Sequence, residues 1–345
     1  MSLETSSILP RQNLTFSAAS LTVLIAFGAS ALPVPLMSTW TREFGLSTAA
    51  IGMTVLLYVV GNACSLLFFA RLSEVIGRRG AVFVSLLFGL AACAFFLAAD
   101  SPAFLMAGRL LQGLACGITT TAAMSWCVDS APPQRSWLAT AVSSSGPLAG
   151  FVIATIGAGI AIETQIASTR GLFFSVLVLE LLVSGLVFLA SETVTTKSTK
   201  KGILKPSVMP PPGYGRRLAL AATGFVGTSA LTCFFQGFSA RVAEGLWGVD
   251  APIAILSGLV DLSLVLPNAL GAFAAAKFPP LKVFAPVGLL YVVTGCGTFL
   301  SVAWRLPELF IAFALVCGAT QGALTAASFK TVSDTHQTLP TKLEV

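Results

Sequence analysis

Ten runs of about twenty apolar residues, separated by short polar loops, govern what this chain can fold into. They cover about 16–38, 49–69, 81–99, 103–127, 138–161, 171–190, 218–238, 251–272, 283–301 and 307–327. A helix needs about twenty such residues to cross the hydrocarbon of a bilayer, and it satisfies its own backbone amides there. Transmembrane strands would be about 9–11 residues long and alternate in polarity, which these runs do not. Only 10% of the residues are charged, against about 25% in a soluble domain. The sequence therefore predicts an all-α membrane protein and argues against both a disordered chain and a soluble globule.

Loop charge orients the spans. With the N-terminus inside, Arg11, Arg71, Arg78, Arg79, Arg135, Lys197, Lys200, Lys201, Lys205, Arg216, Arg217, Lys277, Lys282, Lys330 and Lys342 fall on the inner side. Arg42, Arg170, Arg241 and Arg305 fall outside, and Arg109 lies within a span. Basic residues collect on the cytoplasmic side of membrane proteins, so an even number of spans with both termini cytoplasmic is expected. The net charge of +6 then reports orientation, and no nucleic-acid partner is expected. The polar start up to Leu14 and the long run after it read as a first span and not as a cleaved signal. The sequon at Asn13-Leu14-Thr15 falls on the inner side and is discounted.

The stretch 191–217, SETVTTKSTKKGILKPSVMPPPGYGRR, is basic, Pro-rich and far longer than the other loops. It divides a six-span bundle (1–190) from a four-span bundle (218–327), with a polar tail over 328–345. Two helical bundles, six plus four, around a central cavity are the expected architecture. The cysteines at 64, 93, 116, 127, 233, 296 and 317 lie in or beside apolar runs without CxxC spacing and read as small packing residues. His336 lies in the tail. No metal cluster, P-loop, HExxH or GxSxG is present, so neither a cofactor nor enzymatic catalysis is expected, and any work must draw on a solute or ion gradient.

Three local patterns carry a family resemblance. After the second span comes Ala70-Arg71-Leu72-Ser73-Glu74-Val75-Ile76-Gly77-Arg78-Arg79-Gly80, similar to G-x-L-x-D-R-x-G-R-R. Leu72, Gly77, Arg78 and Arg79 match, Glu74 stands for Asp, and Ala70 and Val75 depart. Gly108-Arg109 through Gly117 resembles R-x-x-x-G in a fourth span. Gly146-Pro147-Leu148-Ala149-Gly150 in the fifth resembles GPxxG, with Phe151 where a second Gly is common. Together with six spans and a basic inner loop, these resemble the major facilitator superfamily and, through GPxxG, its proton-exchanging exporter branch. The resemblance implies a tight inner turn at Gly77, with Glu74 pairing with arginines or capping a helix N-terminus as a conformational latch. It also implies twelve spans, so this chain reads as lacking the last two, by nature or by truncation. Its final Leu343-Glu344-Val345 matches the opening of a common protease-cleavage tag. Gln112-Gly113 is echoed by Gln321-Gly322, as two related bundles would give, with Gly318 where Arg109 would recur.

Three ionisable residues sit within spans, where each costs about 2.5–3.5 kcal/mol and needs a partner or a hydrated cavity. Arg109 binds an anion or neighbours an acid if it faces the cavity, and otherwise donates to backbone carbonyls of other helices. Asp261 stands mid-way along the eighth span, ahead of Pro267 and Asn268. The resemblance places eighth spans along the cavity, so Asp261 is the leading candidate to take up and release a proton. Glu180 lies in the sixth span, peripheral by resemblance, facing either lipid or the bundle. Gln112, Asn62, Gln236, Asn268 and Gln321 are amides within spans, and Tyr58, Trp126, Phe234 and Phe235 are candidate apolar walls. Many antiporters of the branch it resembles carry an acid in the first span, and residues 16–38 hold none, which weakens the implied specificity for cationic drugs, while Pro33 and Pro35 suggest a bent outer end.

The expected function is that of a secondary transporter, a proton-coupled exporter of a small amphipathic molecule. Its expected partners are that solute, protons and the lipid bilayer, with the chain a monomer in a bacterial inner membrane. Two other readings stand beside it: an uptake symporter or facilitator for a sugar or metabolite, and a truncated, transport-inactive membrane protein.

Overall fold

A computed structural model describes residues 2–132, 134, 137–194, 215–275 and 277–337. The described residues are helical apart from short turns. In chain order the helices are α1 (Ser2–Ala31), α2 (Pro33–Phe44), α3 (Thr48–Phe68), α4 (Leu72–Ile76), α5 (Arg78–Leu97), α6 (Pro102–Ile118), α7 (Met124–Ser130), α8 (Trp137–Glu163), α9 (Thr169–Leu189), α10 (Gly215–Trp247), α11 (Ile253–Ala275), α12 (Pro280–Ala303) and α13 (Pro307–Gln337). A π-helical turn, Thr119–Ala123, joins α6 to α7. Ten stretches among the described residues are long and apolar enough to cross a membrane, matching the ten sequence runs.

Several boundaries differ from expectation, among them the start of α1 at Ser2 and the end of α10 at Trp247, which takes Arg241 out of the outer loop and into the helix. The first span breaks at Leu32, because Pro33 and Pro35 carry no amide to continue the helical ladder. The fourth span is divided by the π turn, which itself holds neither Pro nor Gly. The last helix runs on to Gln337, so residues 328–337, read as a polar tail, extend it. The linker positions 195–214, including Lys197, Lys200, Lys201 and Lys205, lie outside the described residues, as do Arg135 and 338–345 with Lys342 and Leu343-Glu344-Val345.

The chain divides into two compact units, Met1–Ser207 and Val208–Val345. Lipid tails are as apolar as leucine, so membrane helices associate through close packing of small residues rather than by leaving water. Each unit shows this. In the first, an added Cβ at Gly61 of α3 would run into the Leu110 carbonyl of α6, and one at Gly113 would run into the Tyr58 carbonyl. In the second, Gly271 of α11 lies under the Ala319 carbonyl of α13, while Gly318 and Gly322 lie under the Leu264 and Asn268 carbonyls. On α6 (Gly113, Gly117) and on α13 (Gly318, Gly322) the glycines recur at the four-residue spacing that brings backbones together. The inner core of the first unit gathers Val23, Val82, Leu86, Ile118, Trp126 and Val187. The second unit's core forms around Phe235, Leu264, Phe310 and Cys317. Trp126 and Phe235, considered as cavity walls, are therefore core residues, and Phe234 stacks edge-on against Phe235 at 5.4 Å.

Candidate functional site

The break in the first span sets the chemistry beside it. Pro33 lacks the amide that would bond the Ala29 carbonyl in an unbroken helix. Gln112 of α6 supplies the missing donor, its Nε2 reaching Ala29 O at 2.7 Å. One turn away Arg109 donates from Nη1 to Ser30 O at 2.8 Å and to Gln112 Oε1 at 3.3 Å. Its guanidinium lies 5.1 Å from the centroid of the Tyr58 ring of α3, within cation–π range. Farther along the same face, the Cys116 thiol points at Ala26 O, 3.5 Å away. Arg109 is only 2% exposed. Positions 109, 112 and 116 share one face of α6, and that face is a brace for the broken first span. The geometry matches the backbone-donor reading of Arg109 and lends no support to an anion site there.

In the second unit the counterpart amide behaves alike. Gln321 of α13 donates from Nε2 to Thr232 Oγ1 of α10. Gln112 ties the fourth span to the first, and Gln321 ties the tenth to the seventh, so the Gln-Gly echo in the sequence is an echo of packing.

Asp261 is 2% exposed, and its Oδ2 meets no hydrogen-bond partner among the described residues. The Ser239 hydroxyl of α10 stands beside the carboxyl, yet its buried oxygen also lacks a bond of proper geometry. Two orphaned oxygens face a helix interface where every unmet polar group is costly. Asn268 and Gln236 are half-buried. Nothing in the contacts of the described residues brings them to Asp261.

Glu180 points inward. It is 2% exposed, lies over Gly89 of α5 where any side chain would collide with its carboxyl, and accepts from the Cys93 thiol at 3.8 Å. It is thus an acid of the first unit's interior, with no ion pair among the described residues, away from the lipid-facing position considered for it.

The inner turn departs from expectation in its partners. Gly77 holds φ +88°, ψ 166°, a backbone open to glycine and strained for other residues. Glu74 is exposed, and the arginines pair elsewhere. Arg78 Nε meets Asp129 Oδ2 at 3.0 Å, and its Nη1 donates to Ser73 Oγ at 2.7 Å. The carboxylate of Glu192, just past α9, accepts the backbone amides of Arg78 (2.9 Å) and Arg79 (3.1 Å), a carboxylate seated on the N-terminus of α5. Arg79 closes the ring by donating to Ala190 O at 3.2 Å. Glu192, Asp129 and Ser73 were not singled out in the sequence. Glu192 is the second residue of the stretch 191–217 that reads as linker, two residues beyond a span. Leu72 begins the short α4 of this turn.

Gly146, Pro147 and Gly150 lie on α8 against α1. An added Cβ at Gly150 would run into the Leu24 carbonyl, and one at Gly146 would stand 3.2 Å from Val23 Cγ1. This element sets how closely the first and fifth spans approach.

Comparison with known proteins accords with the helical fold. A 131-residue stretch is 31% identical to YybF, an uncharacterized MFS-type transporter of Bacillus subtilis (strain 168), covering 37% of this chain and 32% of that protein. The matched stretch thus spans about a third of the length of that relative. Two crystal structures of a bacterial homolog to the human lysosomal transporter Spinster share the fold. The inward-facing, occupied form gives a TM-score of 0.65 at 17% identity, over 95% of this chain and 78% of that one. The inward-facing, unoccupied form gives 0.65 at 15% identity, over 93% and 75%. The Major Facilitator Superfamily profile matches residues 19–338, nearly the whole chain, and this multi-pass membrane protein belongs to that superfamily.

Proposed function

We propose that the protein is a secondary transporter that exports a small amphipathic molecule in exchange for protons by alternating access, with Asp261 as the proton carrier. The observation that carries this reading is the Asp261 carboxyl, buried within the second unit with the Ser239 hydroxyl beside it and, among the described residues, one oxygen unmatched. A carboxylate in a span needs a cation partner, water or a proton, and a proton requires no further ligand. Glu180, equally buried, is the second candidate carrier. The GPxxG element on α8 favours exchange over uptake. Moving one charge through the membrane potential supplies about 2.3 kcal/mol per 100 mV, enough to drive a solute gradient. Arg109 and Gln112 enter this reading as braces of the first span, Gln321 as the brace of the seventh, and Asn268 and Gln236 as polar groups open to the solute.

The test uses proteoliposomes with an imposed pH gradient and two fluorescent amphiphiles of opposite charge, ethidium and anilinonaphthalene sulfonate. Gradient-driven movement of at least one, abolished by nigericin, is expected, and Asp261→Asn is expected to remove the dependence on the gradient. Flux that ignores the gradient would make the protein a facilitator, and an Asn variant indistinguishable from wild type would remove Asp261 from the mechanism.

A further inference from the structure

We propose that a recess on the first unit, between α1, α8 and α9, holds the hydrocarbon tail of a bilayer lipid. The recess has a volume of about 300 Å³ and is lined by Gly28, Ala154, Gly157, Ala158, Leu172 and Val176 among others. It exists because two contacts differ. At Gly28 and Gly150 the backbones of α1 and α8 close on one another, but two turns on, a Cβ at Gly157 would meet nothing within 4 Å. The helices diverge there, and small residues floor the gap.

Its occupant follows from depth and polarity. Every lining residue belongs to a membrane-crossing stretch: Arg11–Phe44, Ser145–Glu163 or Thr169–Leu189. Among the described lining residues the one hydroxyl, Ser175, donates to Gly171 O at 3.0 Å, and the Ala29 carbonyl freed by Pro33 is already taken by Gln112 Nε2. A polar ligand would give up its bonds to water and find none in return. At its rim Ile153 and Leu179 are 69% and 47% exposed, so the recess opens sideways at bilayer depth, where alkyl chains are the surrounding phase. A narrow groove with a small-residue floor fits one such chain. The seated chain would touch Ala29 and Leu32, the residues at the break of the first span, so its presence would support the same bend that Gln112 and Arg109 brace.

The experiment uses the full chain in nanodiscs of phosphatidylcholine carrying a diazirine on one acyl chain. After irradiation, adducts are mapped by peptide mass spectrometry. Adducts on peptides containing residues 153–158 and 172–179 are expected to exceed by at least fivefold those on α12 around Leu289 and Val292, which are 68% and 59% exposed. Gly157→Leu, whose first carbon has room, is expected to cut the recess adducts at least fivefold and leave the α12 adducts unchanged. Gly157→Val serves as a smaller plug should the leucine variant not fold. Equal labelling of recess and α12 would mean ordinary annular contact and would overturn the proposal. So would undiminished labelling in a folded, plugged variant.

Discussion

Pro33 removes one amide from the first span, and its effect is felt in the fourth. The Ala29 carbonyl, left without its in-helix donor, is met by Gln112 Nε2 at 2.7 Å. Gln112 and Pro33 are therefore energetically coupled although they sit on different helices. Gln112→Leu is expected to destabilise the protein by about 0.6–2 kcal/mol, the span of side-chain hydrogen bonds inside membranes. Pro33→Ala gives Ala29 its helical donor back, so the same Gln112→Leu change is expected to cost less in that background. A double-mutant cycle on thermal unfolding in detergent measures the difference, and strict additivity would deny the coupling. This pair also marks where sequence reading ends. Arg109, Glu180 and Asp261 stand out as ionisable residues in apolar runs, because their cost there is large whatever surrounds them. Arg109 and Glu180 meet a backbone carbonyl and a thiol on other helices, and Asp261 has the Ser239 hydroxyl of α10 beside it, groups that carry no pattern along the chain.

Helices meet in this protein through glycine, so element-level stability should be decided by which glycines face a backbone. Gly113 and Gly185 both lie inside spanning helices, yet a Cβ on the first would run into the Tyr58 carbonyl while one on the second would meet nothing within 4 Å. Gly113→Ala is expected to destabilise by about 1–3 kcal/mol through forced separation of α3 and α6, and Gly185→Ala to be neutral or stabilising by up to about 1 kcal/mol. Melting of the two variants side by side would show it, and equal melting points would contradict the packing. The inner turn offers a second test. Glu192 accepts two amides at the start of α5, and charge-assisted bonds of this kind are worth about 1.5–3 kcal/mol. Glu192→Ala is expected to raise hydrogen exchange of the Arg78 and Arg79 amides about tenfold or more, while exchange on α12 stays as it was. The ten spans themselves were legible because apolar length alone defines them. The π turn at Thr119–Ala123 and the extension of α13 to Gln337 were not. The first leaves its apolar run unbroken, and the second is polar, so hydropathy reads the one as continuous helix and the other as tail.

On the scale of the whole molecule the distribution of basic residues makes its own prediction. Fifteen lysines and arginines fall in loops on one side and four on the other in the arrangement read from the sequence, and such a bias holds the richer side in the cytoplasm. The structure supplies reporters for either face. Thr164, in the turn between α8 and α9, is exposed, as is Glu74 in the turn before α5. In a variant whose seven cysteines are replaced by serine or alanine, Thr164→Cys is expected to react with a membrane-impermeant maleimide on intact cells. Glu74→Cys is expected to react only after permeabilisation. The two turns lie on opposite sides of the membrane because three membrane-crossing stretches separate them, Arg78–Leu97, Pro102–Ser130 and Ser145–Glu163. Labelling of both on intact cells would therefore break the span assignment, whereas the reverse pattern would keep the spans and invert the molecule. Inversion would also place the turn fastened by Glu192, with Arg78 and Arg79, on the outer face, against the charge bias of the whole chain. The two outcomes thus separate an error in counting helices from an error in weighing charge.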